Sequence, residues 1–297
     1  MSSFEHRRFL PHWSDSIIAF TKGTVSGVAI RGITWPIEHI FYQYADPKNQ
    51  KTYVQLTQET FQIKSLPRLS EAFMKAGTLQ TIGKAGANFG TINYVENMHP
   101  NLSPINKITM ITIISTVLES LTTTSGEWNK VKYFLQSQGQ TSLTKAELVN
   151  PLCIKTLSSP EFRRAFSSTF VRSLWSGGCL YGGIYGIEHW ASPYLSDKMS
   201  PSSIKVASAV AGAVAVQWLI MPFVNYQTYT FQNASLSWQE ALKKFLKTHQ
   251  GTLTKGATGR AVHRAMAYGF GFLATEYMKE TKREDSPSSS LSNSPSR

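Results

Sequence analysis

Carboxylates and cysteines are the residues of this sequence whose types and spacing could first suggest chemistry. Glu119 and Glu127 lie two turns apart on one predicted helix, but a carboxylate pair on a helix of this kind does not by itself indicate hydrolysis. No Walker loop, GxGxxG, HExxH or GxSxG pattern is present. The two cysteines, Cys153 and Cys179, have no metal-ligand spacing and cannot form a disulfide framework. We therefore expect no enzyme activity, no metal site and no cofactor.

The second chemical feature is an excess of cations. Lys and Arg number 30 against 18 Asp and Glu, giving a net charge of +12 that suits nucleic acid, an anionic membrane surface or an anionic solute. A nucleic-acid binder should cluster these bases on one helix, whereas here they fall in loops and inside apolar segments. Nucleic acid is therefore not an expected partner, and cations within apolar segments can face inward around a watery path.

Six segments, some of which contain such cationic side chains, could span a membrane, although the mean hydropathy of the chain is only −0.19. One stretch, 206–224, approaches a strongly apolar span, but a helix lining a cavity needs lipid-compatible residues on one side only. The segments are 16–43, 76–98, 105–132, 167–189, 204–230 and 257–278.

The loops between these segments alternate in length. Short turns follow the second and fourth segments, whereas the long loops 44–75, 133–166 and 231–255 hold 13 Lys and Arg against 6 Asp and Glu. Six spans would place all long loops on one, untranslocated face. Each long loop also carries a short amphipathic piece, clearest at 238–246.

The chain repeats itself at a period near 90 residues. The segment 75–98 aligns without gaps to 255–278, and a column of acids recurs at Glu96, Glu188 and Glu276. Three copies of one unit predict an all-α membrane protein with six transmembrane helices in three pseudo-symmetric helical hairpins and short amphipathic helices on one face. Small-xxx-small glycine pairs should let the helices pack closely. The predicted units are an N-terminal segment 1–15, repeats 16–100, 101–200 and 201–281, and a disordered polar tail 282–297; the glycine pairs are Gly23/Gly27, Gly86/Gly90, Gly178/Gly182 and Gly182/Gly186.

The odd-numbered segments end in three degenerate copies of Pro-x-acid-x-x-base-x-base, at 36–43, 125–132 and 222–229. With the threefold period, this pattern resembles the mitochondrial carrier family. The resemblance implies that paired residues close the matrix end of a central path, as one charged, one polar and one apolar pair. The matrix gate would contain Glu38 facing Lys130, Glu127 facing Gln227, Val224 facing Phe41, and the helix-bending prolines Pro36 and Pro222.

The even-numbered segments resemble the family as well. Its aromatic-acid-x-x-base pattern is approximated by Glu96 with His99 and by Glu276 with Lys279, while Glu188 lacks the base. The resemblance makes these residues the cytoplasmic gate.

The resemblance also implies where a solute binds, near mid-membrane and twelve residues before each acid of the column. That position selects Lys84, Ser176 and Arg264, with Arg31 on the first helix. Several cations in a low-dielectric funnel attract an anion, and phosphate matches guanidinium geometry well. The expected substrate-binding residues are Arg31, Lys84, Ser176, Gly177, Tyr181, His263 and Arg264, with Arg172 and Arg260 nearby.

Two hypotheses remain open from the sequence. In the first, the chain exchanges a nucleotide, ATP or ADP, or another phosphorylated or carboxylate anion, by alternating access across the inner mitochondrial membrane, in contact with lipid such as cardiolipin. Its divergence is typical of an unusual member, for example one that an intracellular bacterium delivers into host mitochondria with the polar tail as a signal. In the second, a carrier-like protein no longer transports and serves as a membrane adaptor or insertion factor.

Overall fold

Long helices dominate the computed structural model, which describes residues 13–45, 51–65, 67, 78–137, 158, 160–233 and 236–284. This part of the chain is all-α and contains no strand, which confirms the predicted class at that level. The helices are α1 (Trp13–Ala45), α2 (Tyr53–Thr60), α3 (Thr78–Ala85), a π turn (Gly86–Gly90), α4 (Thr91–Met98), α5 (Pro104–Ser137), α6 (Pro160–Leu195), α7 (Pro201–Ala215), α8 (Gln217–Gln232), α9 (Trp238–Thr248) and α10 (Ala257–Glu284).

Each of the six predicted segments coincides with a long helix or a closely joined pair. Three of the helices begin at a proline, at Pro104, Pro160 and Pro201, because the first turn does not use the backbone N–H that proline lacks. The start at Pro160 lengthens α6 by seven residues relative to the predicted segment 167–189. The amphipathic piece predicted at 238–246 forms α9, closed by a capping box between Ser237 and Glu240.

The fifth predicted segment, 204–230, is broken. Helices α7 and α8 meet at Val216 with a bend of 54°. Pro222 lies one and a half turns after the break and cannot donate a hydrogen bond to the preceding turn, which loosens the helix on its N-terminal side. By length and hydropathy, no single helix among the described residues qualifies as a membrane span, whereas this bent pair does.

The long helices form a closed ring. Helix α1 packs on α3 and α4, these pack on α5, α5 packs on α6, and α6 packs on α7 and α8. The ring closes because α10 packs on both α7 and α1. An apolar cluster packs between the helices of the ring, with Phe89, Ile184, Tyr185, Ala209 and Phe272 among its buried members.

Several charged side chains are buried inside the ring, while many large apolar side chains are exposed on its helices. On α1, Arg31 is 3% exposed while Ile33, two residues later, is 74% exposed. Soluble helices place charges outward and apolar residues in the core. Large apolar side chains point outward on other helices too, including Ile113 and Leu121 on α5, Val171 and Trp175 on α6, Trp218 and Leu219 on α8, and Val262, Phe270 and Leu273 on α10.

Glycines set the closest helix contacts, but only some of those predicted. Gly27 faces Ala85 and Phe89, so α1 and α3 approach at the predicted glycine pairs. The prediction for Gly178, Gly182 and Gly186 is wrong, because a Cβ atom at any of these positions would meet nothing within 4 Å. The contact between α6 and α7 is made instead by Gly183 and Gly212; a Cβ atom at Gly212 would lie 2.5 Å from the Ile184 backbone nitrogen.

Candidate functional site

Four Arg and Lys side chains and one histidine are buried within the ring of helices. They come from α1, α3, α6 and α10, so four different parts of the chain contribute to one charged interior. Lys84 is only 2% exposed, and the other members are similarly buried. We call this set the cation layer; its members are Arg31, Lys84, Arg172, Arg260 and His263, and the less buried Arg264 adjoins it.

One acid lies against this layer. Glu119 of α5 forms an ion pair with Arg172 of α6, with 2.6 Å between the Glu119 Oε1 and Arg172 Nη2 atoms. The Arg172 guanidinium also donates to the Ser173 hydroxyl at 3.0 Å. Five Arg and Lys side chains, with Arg264 counted, lie around this pair, and such a group of bases could attract an anion.

His263 joins the two ends of the ring. Its Nε2 atom lies 3.3 Å from the Thr34 hydroxyl oxygen, a contact between α10 and α1 across 229 residues of sequence. The predicted substrate-binding residues Arg31, Lys84 and His263 are therefore all interior, and the contact with Thr34 makes His263 part of the ring closure as well.

Next to the cation layer lies a small hydrogen-bonded network that connects three even-numbered spans. The Tyr181 hydroxyl donates to the Asn88 Oδ1 atom at 2.9 Å, and the Tyr268 hydroxyl donates to the same oxygen at 3.4 Å. The Asn88 amide donates in turn to the Lys84 carbonyl at 2.7 Å. The Arg264 guanidinium lies 5.8 Å from the centre of the Tyr268 ring, so this network and the cations are in direct contact.

Sequence reasoning selected Tyr181 but missed Asn88 and Tyr268. A signal for them was present, because both stand eight residues before an acid of the repeated column, Asn88 before Glu96 and Tyr268 before Glu276. The π turn at Gly86–Gly90 carries Asn88, and such turns are frequent at functional sites.

The predicted contacts Ser176 and Gly177 lie on α6 beside α5. A Cβ atom at Gly177 would be 3.4 Å from the Thr112 methyl and 3.6 Å from the Tyr181 ring, so the glycine packs against both. The Ser176 hydroxyl oxygen is buried and has no hydrogen-bond partner in the described structure. Buried hydroxyls in this condition are available to a ligand or to water. The hydroxyls of Thr112, Thr116 and Ser120 on α5 share that condition.

At the short-turn end, two of the three acids of the repeat, Glu96 and Glu276, contact a base that the sequence did not single out. The Lys205 Nζ atom of α7 lies 2.6 Å from Glu96 Oε1 and 3.6 Å from Glu276 Oε1. His99, the predicted partner of Glu96, has its ring 5.9 Å from that of Tyr94. The Lys279 side chain lies outside the described residues, so its predicted contact with Glu276 stays a prediction.

At the long-loop end, the predicted matrix gate is described only in part. Val224 and Gln227 are buried, and the Gln227 amide donates to the Thr169 hydroxyl of α6 at 2.8 Å. The prolines Pro36 and Pro222 lie inside α1 and α8 as predicted. The side chains of Glu38, Phe41, Glu127 and Lys130 lie outside the described residues, so the three pairs remain predictions.

Two further features complete the survey of the described residues. No group of three His, Cys, Asp or Glu side chains among them could hold a metal ion. An apolar cleft of about 380 Å³ opens between α6 and α8, on the outer side of the ring where the Trp175 and Phe223 rings stack with centroids 5.0 Å apart. No family model and no curated protein sequence matches this chain.

Proposed function

We propose that this chain is a membrane transporter of the mitochondrial carrier type, with six spans, that exchanges an anionic nucleotide, ATP or ADP, across the inner mitochondrial membrane. The observation that carries the proposal is the ring of helices with cations inside and large apolar side chains outside.

The outward apolar side chains support a membrane location. Residues such as Ile33, Leu121 and Leu273 are more than half exposed on three different helices, and water would make so much exposed apolar surface costly. Lipid reverses this cost, and it also favours the burial of charged side chains such as Arg31, Lys84 and Arg172 inside the ring. The positively charged long loops favour the matrix side for that face, in keeping with the resemblance to mitochondrial carriers.

The cation layer supports an anionic substrate. Several Arg and Lys side chains lie buried together here, and a group of buried bases attracts negative charge such as that of an anionic substrate. Arginine dominates the layer, and its planar guanidinium binds phosphate in a bidentate manner. A nucleotide supplies phosphates to Arg31, Lys84 and Arg264, and its base can lie against Tyr181 and Gly177.

The two ends of the ring support alternating access. The Glu96 and Glu276 contacts with Lys205 close the short-turn end, while the residues of the predicted matrix gate lie at the long-loop end. A solute-driven exchange requires that bound nucleotide shift the balance between a state closed at one end and a state closed at the other.

The proposal is tested by uptake in liposomes. Purified protein is reconstituted and the uptake of labelled ATP and ADP is measured with unlabelled competitors: nucleotides, other phosphorylated or carboxylate anions, and adenosine. We expect saturable uptake that phosphate-bearing competitors reduce and uncharged adenosine does not. Lys84→Met, Arg264→Gln and Arg31→Gln should each abolish most of it, because each removes one cation from the site.

Lys22→Met is the matched control. Lys22 is exposed on α1, two and a half turns before Arg31, and its loss leaves the interior unchanged. Absence of uptake of every anion by folded, inserted protein would refute the transporter and favour the adaptor. Purification as a soluble protein without detergent would refute the membrane location.

A further inference from the structure

Lys205 occupies an unusual position among the acids of the threefold repeat. Glu96, Glu188 and Glu276 stand on three different spans, at equivalent places near the short-turn end. Lys205 belongs to a different span, the fifth predicted one, and is the fifth residue of α7. Its ammonium group contacts Glu96 and Glu276 directly, and it also interacts electrostatically with Glu188. One lysine therefore forms ion pairs with two of the acids and lies within electrostatic range of the third.

Neighbouring side chains hold this arrangement together. The Tyr185 hydroxyl of α6 donates to Glu96 Oε1 at 2.9 Å, and the Ser202 hydroxyl of α7 donates to Glu276 Oε2 at 3.2 Å. The Lys205 ammonium also lies 5.8 Å from the centre of the Phe272 ring, a cation–π contact with α10. Contacts from α4, α6, α7 and α10 thus meet at one point.

We propose that Lys205 is the central residue of the short-turn gate, and that its single charge holds the ends of the three even-numbered spans together. The proposal rests on the transporter function proposed above and specifies how one of its two ends closes. The gate therefore includes a base from an odd-numbered span, whereas the sequence pattern placed its bases three residues after two of the acids, at His99 and Lys279, and left Glu188 without one.

The physical reason is the balance of charge. Glu96 and Lys205 are largely buried, so their attraction is weakly screened, and removal of one charge takes a strong stabilising contact from the other. Without the lysine, Glu96, Glu188 and Glu276 would repel one another at the same level of the ring. Lys107 at the start of α5 also interacts electrostatically with Glu188, but Lys205 alone makes the described ion pairs with Glu96 and Glu276. Loss of Lys205 should therefore shift the population toward a state open at this end.

The test measures opening without any nucleotide. A cysteine is placed at Ala209, which is fully buried one turn further along α7 on the side of Lys205, in a chain whose native cysteines are replaced by alanine. The protein is inserted into liposomes, and the rate of labelling by a membrane-impermeant maleimide is measured. Lys205→Met should raise this rate at least roughly tenfold, since tenfold corresponds to only about 1.4 kcal/mol of lost closing energy.

Three comparisons make the result specific. Lys205→Arg keeps the charge and should label nearly as slowly as the parent. Lys198→Met removes an exposed lysine at the same end and should leave the rate unchanged. Adding Glu96→Gln to Lys205→Met should slow the labelling again, because it removes part of the repulsion. Equal rates in Lys205→Met and the parent would overturn the proposal.

If the Lys205→Met variant does not fold, two other variants still test the proposal. Glu96→Gln and Glu276→Gln each remove one partner and keep the lysine, so both should raise the labelling rate; parental rates in both would overturn the gate. The labelling and uptake assays also fail independently. If Lys205→Met raises the labelling rate but the parent protein takes up no anion, the proposed anionic substrate is refuted. If the parent takes up nucleotide and Lys205→Met leaves the labelling rate unchanged, only the role of Lys205 is refuted.

Discussion

Glu119→Gln is the substitution that best measures how strongly the charged interior depends on its internal counterion. The Glu119–Arg172 pair is close, at 2.6 Å, and its side chains are only 13% and 4% exposed. Glutamine can still accept a hydrogen bond, but it removes the negative charge of a buried ion pair, which should cost about 3 kcal/mol or more. At roughly 2–4 °C per kcal/mol for a chain of this size, we expect the apparent melting temperature in detergent to fall by about 6–12 °C.

An exposed ion pair provides the matched comparison. The Lys51 Nζ atom lies 2.7 Å from Glu59 Oε2, at nearly the same separation, but both side chains are about half exposed. Glu59→Gln should therefore cost about 0–1 kcal/mol and hardly change the melting temperature. Adding Arg172→Gln to Glu119→Gln should restore much of the loss, because no isolated charge then remains. Equal small shifts for Glu119→Gln and Glu59→Gln would refute the reasoning.

Two further predictions concern packing and helix capping. Gly212→Ala should destabilise the protein by about 1–3 kcal/mol, because the new methyl group would meet the Ile184 backbone. Gly178→Ala faces open space and should stabilise the protein slightly. Thermal melts that rank the two variants otherwise would contradict the described contact between α6 and α7. Hydrogen bonds from the Ser237 hydroxyl and backbone N–H lower the pKa of the Glu240 carboxyl, so α9 gains stability above the ordinary carboxyl pKa and loses it as the pH falls through the lowered value. Amide hydrogen exchange in α9 should accelerate across that acid range in the native chain, and it should accelerate much less in Ser237→Ala. The same acid dependence in both proteins would exclude the capping box as the cause of the acceleration.

The extent of the helices was largely readable from the sequence. Apolar segments at helical spacing, prolines at helix starts and a capping pattern before α9 are local signals, and local signals decide where a helix begins. The repeat went further, because residues at equivalent places in equivalent helices must lie at similar levels of the ring. It identified Glu96, Glu188 and Glu276 as members of one level, and the family resemblance, counted from that level, selected Lys84, which is buried.

The partners of those residues were decided by the tertiary structure. The acids meet Lys205 of α7, Arg172 meets Glu119, and the close contact between α6 and α7 falls on Gly183 and Gly212. A repeat fixes the level of a side chain along the ring but leaves open which neighbouring helix turns a base toward it. That choice depends on the rotation and bending of each helix, and α7 and α8 bend where no periodic pattern indicates it. Pairing across a helical ring is therefore a property of packing, whereas the helices and their shared levels are properties of the sequence.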